Sequence, residues 1–576
     1  MDDRMRSGAG RGRWRLVLAG VALGAMALAC SRSDLPQDFS AITQIPGVPT
    51  IPLGFDTSDI TPVVIPTLAQ LLPPPDKGAD ATAEPLMQSP APTLTPFAQG
   101  PTPSGLLGTP TPFPPRPVAG SPTPNPTRES ALNRTAVDVY TIQRGDTLNV
   151  IGSRYGISAE EIAKANDLTI TDTLFVGQTL DIPLPLKPVY GPALKILPDS
   201  ELVYGPGDAG FDLERFVTEQ GGFLATYSED VPGYALDGLS EFRTLTGVEI
   251  VRIISARYSV SPRLLLAVLE FQSGWVTNPD PKDATLQYPM RRAEQGREGL
   301  FKQLTWSANQ LNNGYYAWKS GALISFGFDA GVARIVAPTL NPGTVGVQSL
   351  FSRVMPASEW ERAVSAGGFP ATYITLFGDP FTRAIEPVVP ADLQQPPLTL
   401  PFEPGKIWAF TGGPHAAFDF GSAWAALDFA PPAEAEGCLQ SEEWVTASAP
   451  GLVLRSEFGA VALDLDGDGA EGTGWVLIYF HIEQRDRVAA GTYVQTGDRL
   501  GHPSCEGGIS NGTHTHVSRK YNGEWIAADD GRIPFVLDGW AAAGLNDTEY
   551  DGTLSKGAIT IEACNCRDDS NAIARP

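Results

Sequence analysis

The sequence predicts a multidomain chain: a C-terminal, mainly antiparallel β domain, a small α+β domain, a mainly α domain between them, and a disordered proline-rich linker ahead of all three. Three observations predict it. The 576 residues suffice for three or four domains at about 150 each. Of the 52 prolines, 23 fall between Ser31 and Ser130, too dense a run for a packed core. All five histidines lie after residue 410, among short apolar segments punctuated by glycine. The formal net charge is −24, with no basic block beyond the first 15 residues. That balance excludes a phosphate-tracking nucleic-acid binder and leaves cationic substrates open.

Residues 1–30 have a secretory layout. Arg4, Arg6, Arg11, Arg13 and Arg15 precede an apolar run from Leu16 to Ala29 that stops at Cys30. The run is shorter than the roughly 20 residues a membrane-spanning helix needs. The small residues before Cys30 resemble a bacterial lipobox, which implies a membrane anchor through a lipid on Cys30. Ala27 stands where that motif prefers a branched residue, so an ordinary signal peptide is the alternative. Residues 31–136 read as an extended, solvated stalk, partly polyproline II, able to lift a domain well over ~100 Å from a membrane at ~3.1 Å per residue.

Residues 137–185 predict strand, helix, helix, strand. Ile151, Tyr155, Ile157, Ile162 and Ala163 supply the apolar face of the helices, Gly156 ends the first, and Asp146 and Thr147 are placed to cap it. The segment resembles a LysM domain through Gly145-Asp146-Thr147-Leu148, Asn166 and Gly177-Gln178. The resemblance implies binding to N-acetylglucosamine-containing glycans such as peptidoglycan.

Residues 190–395 hold amphipathic stretches, Leu239 to Tyr258 and Pro262 to Trp275 among them, and predict a mainly helical domain. The run around Ser255 to Pro279 resembles the active-site helix of lytic transglycosylases and their lysozyme-like relatives, with weaker echoes at Gly299 to Gln303 and Asn341 to Leu350. In that family a glutamate precedes the serine and acts as general acid. Here Gln272 precedes Ser273, and an amide releases no proton near neutral pH. Glu270 lies about 200° around a helix and faces away. The expectation is a non-catalytic, glycan-binding or structural domain.

Residues 400–540 read as β-rich, with strands near Trp444, Gly451, Val461 and Trp475 to His481. His514 and His516 share one face of a strand at i and i+2. His481 ends an apolar run that delivers it to a sheet end, and His415 follows Thr411-Gly-Gly-Pro in what reads as a turn. Two imidazoles and a carboxylate leave Zn²⁺ net positive with a position open, the requirement of a catalytic zinc site. His502, in Gly501-His502-Pro503, lacks such a context and reads as structural.

Gly412-Gly-Pro-His415, Leu427-Asp428-Phe429, Tyr479-Phe480-His481 and Cys505 to His516 together resemble the lysostaphin-type zinc metallopeptidases, and closely their beta-lytic branch. The resemblance implies His415, Asp428 and His516 as zinc ligands, with Asp419 the alternative carboxylate, and His481 and His514 as catalytic imidazoles whose separate roles stay open. It also implies a Cys438–Cys505 disulfide, since the cysteine of the Cys505-Glu-Gly-Gly loop is bonded in beta-lytic relatives. Cys564–Cys566 is a further expectation in a C-terminal tail, 541–576. Asp464, Asp466 and Asp468 have the alternating spacing of a calcium loop but lack its closing glutamate, so Ca²⁺ there competes with a plain Asp-Gly hairpin. The expected function is a secreted or lipid-anchored envelope endopeptidase cutting peptide bonds in peptidoglycan. The alternative is a non-catalytic wall-binding or hydrolase-activating protein. Oligomeric state is not legible.

Overall fold

A computed structural model describes residues 137–142, 146–184, 189–236, 238, 241–328, 332–433, 437–546 and 548–576. The signal segment, Cys30, the stalk and Gly145 lie outside the described residues. Among the described residues no helix is long and apolar enough to cross a membrane.

The first module has the expected order: Asp138–Thr141, Leu148–Tyr155, Ala159–Ala165 and Thr179–Ile182, the two strands paired antiparallel. Ile151, Ile157, Ile162 and Ala163 are buried together with Leu180 and Ile182. Thr147 caps the first helix, accepting from the Val150 amide, and Gly156 closes it at φ 70°. Asp146 instead accepts from the Tyr140 hydroxyl at 2.6 Å and pairs with Arg154 at 3.3 Å. Asn166 ties helix to strand: its amide donates to the Ile162 and Asp181 carbonyls, and its oxygen accepts from the Asp181 N–H at 2.7 Å. Asn166→Ala should cost about 1–3 kcal/mol locally. Faster hydrogen exchange at the Asp181 amide of the full chain is the expected sign; unchanged exchange would show the strand held by its apolar contacts alone.

The helical domain is built on Gly247–Tyr258, Pro262–Ser273, Leu300–Ser320 and Pro342–Ser352 around one large core. The first of these starts later than its apolar pattern suggests. Thr246 forms a capping box with Glu249, and the residues before it, Phe242–Thr246, pair as a strand with Ser228–Pro232. Ser261 and Pro262 start the next helix, and Gly274, at φ 72°, ends it.

The C-terminal region forms a nine-stranded sheet. Across it run Tyr493–Val494, Gly451–Glu457, Ala460–Asp464, Trp475–Phe480, Thr515–Tyr521, Ala426–Ala430, Ile407–His415 and Ala572–Ala574, with the ninth strand, Glu524–Trp525, pairing beside Thr515–Tyr521, antiparallel at every step. Residues beyond 540, expected as a tail, are built in. Ala572–Ala574 pairs with Ile407–His415, and Trp540–Gly544, Gly552–Lys556 and Ile559–Glu562 belong to a second, four-stranded sheet. The backbone N–H and C=O groups of the Ile407–His415 edge find their partners there, which a composition-based reading could not see.

Trp475–Phe480 is buried at every position. Leu477 and Tyr479 face the domain's own core, whereas Val476, Ile478 and Phe480 join Ala460, Ala462 and Trp525 on the other face, against Tyr316 and Phe418. The helical domain therefore covers the sheet's second face, and the small Ala460 and Ala462 permit close approach. Polar contacts accompany it. The Trp525 N–H donates to the Tyr316 hydroxyl at 2.9 Å, the Tyr315 hydroxyl donates to Glu524 at 2.8 Å, and Lys319 pairs with the same carboxylate. Buried Lys520 donates to Ser259 at 3.1 Å and to Glu471 at 3.0 Å, and Glu471 also takes Arg455 at 3.1 Å.

Candidate metal centre

Register brings the centre together. His516 lies opposite both Asp428 and Phe480 on its two neighbouring strands, and Gly412 lies opposite Asp428. His415 was expected in a turn. It is instead the last residue of a strand that bulges between Phe410 and Gly412 and again between Gly412 and His415. The bulges supply the bend while the pairing with the Asp428 strand is kept. Glycine is required along this stretch: a Cβ at Gly412 would sit 2.7 Å from an Asp428 carboxylate oxygen, and one at Gly413 2.6 Å from the Gly552 nitrogen.

His415, Asp428 and His516, all buried, offer ligand atoms within 4.8 Å of one another. His415 Nδ1 donates to the Gly413 carbonyl at 2.7 Å, and His516 Nε2 donates to the Ala417 carbonyl at 3.0 Å. Because carbonyls only accept, those nitrogens carry the protons. His415 Nε2 and His516 Nδ1 then face each other at 3.0 Å and stand 3.2 and 3.3 Å from Asp428 Oδ1. That oxygen is buried and has no hydrogen-bond partner. Burial drives His415 towards its neutral form, but the charge and hydrogen bonding of Asp428, with the Gly413 carbonyl and the Glu549 charge, together outweigh it and hold its pKa above the usual imidazole value. Burial would raise Asp428, yet the facing imidazoles keep it well below the usual carboxylate range.

His481 and His514 stand beside these three, their rings 4.5 Å apart. His481 adopts a left-handed φ of 61° directly after its strand, a strained conformation that turns the ring inward. Its Nδ1 donates to the Glu506 carbonyl at 2.8 Å, and His514 Nδ1 donates to the Gly512 carbonyl at 2.7 Å. Both rings thus point Nε2 away from those carbonyls, and His514 Nε2 lies 3.7 Å from Asp428. Burial, then the neighbouring imidazoles, push His481 well below its usual pKa. The carbonyls that orient these rings belong to the 505–513 loop, which the Cys438–Cys505 disulfide ties down. Cys564 and Cys566 are also joined.

Of the other sequence candidates, Asp419 lies outside the cluster and faces the helical domain, accepting from the Tyr258 hydroxyl at 2.9 Å. His502 is buried apart, donating to the Glu443 carbonyl at 2.9 Å with its ring against Trp444. Asp464, Asp466 and Asp468 cluster, but their carboxylates are spent on the turn itself. Asp464 accepts from the Asp466, Gly467 and Gly469 amides, and Asp468 from Ala470 and Thr473. This is the Asp-Gly hairpin, and it lends calcium no support. Gln272, the residue before the last of its helix, has both amide atoms buried and unpartnered. Glu270 accepts from the Val276 and Thr277 amides and the Thr277 hydroxyl, so its carboxylate is committed to the turn after the helix.

Two residues escaped the sequence reading. The Tyr550 ring stacks on His415 at 4.2 Å and 19°, and Glu549 accepts from the Ala416 amide at 3.0 Å. Both lie past residue 540, after the last histidine, and no local pattern marks them.

Residues 140–183 match the family model of the LysM domain, and residues 195–390 match that of LasA, N-terminal domain. Protease LasA of Pseudomonas aeruginosa (strain UCBPP-PA14) is 25% identical over 352 residues, 58% of this chain and 75% of that protein. The cortical fragment-lytic enzyme of Bacillus subtilis (strain 168) is 38% identical over 48 residues, 8% of this chain and 11% of that protein. A solved structure titled as the M23 metalloprotease pseudoalterin from the deep sea is 22% identical, covering 30% of this chain and 96% of its own, with a TM-score of 0.24. The sequence matches agree with the resemblance to a LysM-containing lysostaphin-type peptidase.

Proposed function

We propose that this chain is a zinc endopeptidase of the cell envelope that hydrolyses peptide bonds in peptidoglycan stems or crossbridges, held on its substrate by the LysM domain. The observation that carries the reading is the orphaned Asp428 Oδ1, buried and facing the inner nitrogens of His415 and His516. With both rings neutral, as metal ligation requires, two lone pairs 3.0 Å apart beside a carboxylate repel without a cation between them. Two imidazoles and one carboxylate suit Zn²⁺ with a position left for substrate. Bound there, zinc would lower the pKa of water and polarise the scissile carbonyl.

The remaining work falls to the chain. Each Nδ1 of His481 and His514 is committed to a carbonyl, so each Nε2 is free to accept or donate a proton. With its Nδ1 proton held by the Glu506 carbonyl, His481 keeps a lone pair on Nε2 that can take a proton from the attacking water and pass it to the leaving amine. His481→Ala or His514→Ala should keep metal bound and slow turnover by roughly 10²-fold or more. Loss of metal in either variant would mean that ligand and catalyst have been interchanged.

New amine ends, and no new reducing ends, should appear in purified wall digested by the wild-type chain. Reducing ends from a His514→Ala chain would return glycosidase activity to the helical domain despite Gln272. Absence of both products would favour a non-catalytic wall-binding protein. Anchoring belongs to the same proposal: Cys30→Ser should release the protein from membranes, and a mature N terminus beyond Cys30 would exclude the lipid.

A further inference from the structure

Resting on that metal reading, we propose that the helical domain orients the His516 imidazole for the metal through Tyr258 and Asn309, which act as positioning residues. The link is the loop 416–422 between the strands of His415 and Asp428. Its Ala417 carbonyl takes the His516 Nε2 proton at 3.0 Å and so leaves Nδ1 facing Asp428. A shift of this carbonyl would turn the ring or change its tautomer.

The loop is tied within itself, the Ala417 N–H donating to the Ala423 carbonyl at 3.0 Å and the Phe418 N–H to the Ser422 hydroxyl at 2.9 Å, and it is anchored from outside at two further points. Asp419 has a left-handed φ of 59°, a conformation that costs an aspartate free energy unless its surroundings hold it. Tyr258, 2% exposed at the end of its helix, supplies the hold by donating to Asp419 at 2.9 Å. Asn309 Oδ1 accepts from the Gly421 N–H at 2.6 Å, and a Cβ at Gly421 would sit 2.1 Å from the Asn309 carbonyl oxygen. Between these points the Phe418 ring stands edge-on to Tyr258 at 4.9 Å and to Phe480 at 5.5 Å. Phe480 in turn flanks His516, ring to ring at 6.2 Å. Tyr258 is itself fixed by Asn312, whose amide donates to its carbonyl at 2.7 Å. The path from helical domain to imidazole is thus continuous in hydrogen bonds and ring contacts, and its members are buried or half-buried.

Metal affinity, read by competition of Zn²⁺ with a chelator, and the visible spectrum of the Co²⁺-substituted chain test this without reference to turnover. Tyr258→Phe and Asn309→Ala, which act on His516 through the Ala417 carbonyl, should each weaken Zn²⁺ binding by up to about 10-fold, the lower end of the effect of losing a ligand's direct outer partner, and should shift the Co²⁺ spectrum. Asp419→Asn, which still accepts from Tyr258, should stay near wild type. Tyr316→Phe is the control. It removes a hydrogen-bond partner of the Trp525 N–H in the same interface, and affinity and spectrum should not move. The proposal is overturned if Tyr258→Phe and Asn309→Ala both bind Zn²⁺ as wild type with an unchanged spectrum. It is equally overturned if Tyr316→Phe moves both readouts as far. A wild-type chain that binds no Zn²⁺ would instead defeat the metal reading itself.

Discussion

His516→Ala is expected to yield a folded chain without stoichiometric zinc and without activity on purified wall. In the proposed ligand set the imidazole would supply one of three donors, and its loss also strands the Ala417 carbonyl and deepens the isolation of Asp428 Oδ1. The fall in affinity should exceed the 10–100-fold typical of an outer partner, because a first donor is gone. Metal content by elemental analysis and amine release from wall are the measurements. A variant that keeps one zinc per chain and full activity would remove His516 from the ligand set and with it the reading of the site. His415→Ala and Asp428→Asn should behave alike, whereas Asp419→Ala, outside the cluster, should not abolish binding.

Glu471→Gln should be the most destabilising single change away from the metal, by about 3–5 kcal/mol, because Lys520 and Arg455 would be left buried with no opposing charge. The wild-type pair also sets an acid limit. Burial alone would raise Glu471, but Arg455 and Lys520 bring it down to about 2 from 4.5. A carboxylate depressed in the folded state contributes stability above its unfolded value and loses it as pH falls towards the folded one. Here that contribution is about 3 kcal/mol, fully present above pH 4.5 and lost progressively between about 4.5 and 2. Denaturant midpoints measured across this window should fall for wild type and flatten for Glu471→Gln. Parallel curves would show that the carboxylate carries little of the acid sensitivity. Replacing Arg455, Glu471 and Lys520 together with apolar residues of similar volume should recover most of the loss, since no stranded charge remains.

The centre was legible because its chemistry allows few residue types. Five side chains that carry or move protons, set at strand spacings and beside glycines, leave little freedom, and the structure gathers His415, Asp428, His481, His514 and His516. The backbone around them was not legible. The bulges before His415 depend on pairing with the Asp428 strand, a partner separated in sequence. Tyr550 and Glu549 reach the site only because Gly552–Lys556 folds back beside Ile407–His415, and no periodicity encodes that return. The burial of Trp475–Phe480 on both faces likewise reads in sequence as an apolar run without saying what lies on either side. In the first module the opposite holds: short-range capping at Thr147 and Ser158 and the buried isoleucines follow directly from local pattern.

The doubly buried sheet bears on how this chain can be taken apart. A protein engineer who excised residues 400–576 as a portable cutting cassette would leave Val476, Ile478 and Trp525 facing water, together with the unpaired partner of Tyr315 and Lys319. Such a fragment, with Glu524 the single carboxylate left by both Tyr315 and Lys319, invites self-association through its bared strip. A soluble cassette would need that face redrawn with polar side chains, or would have to travel with the helices that shield it.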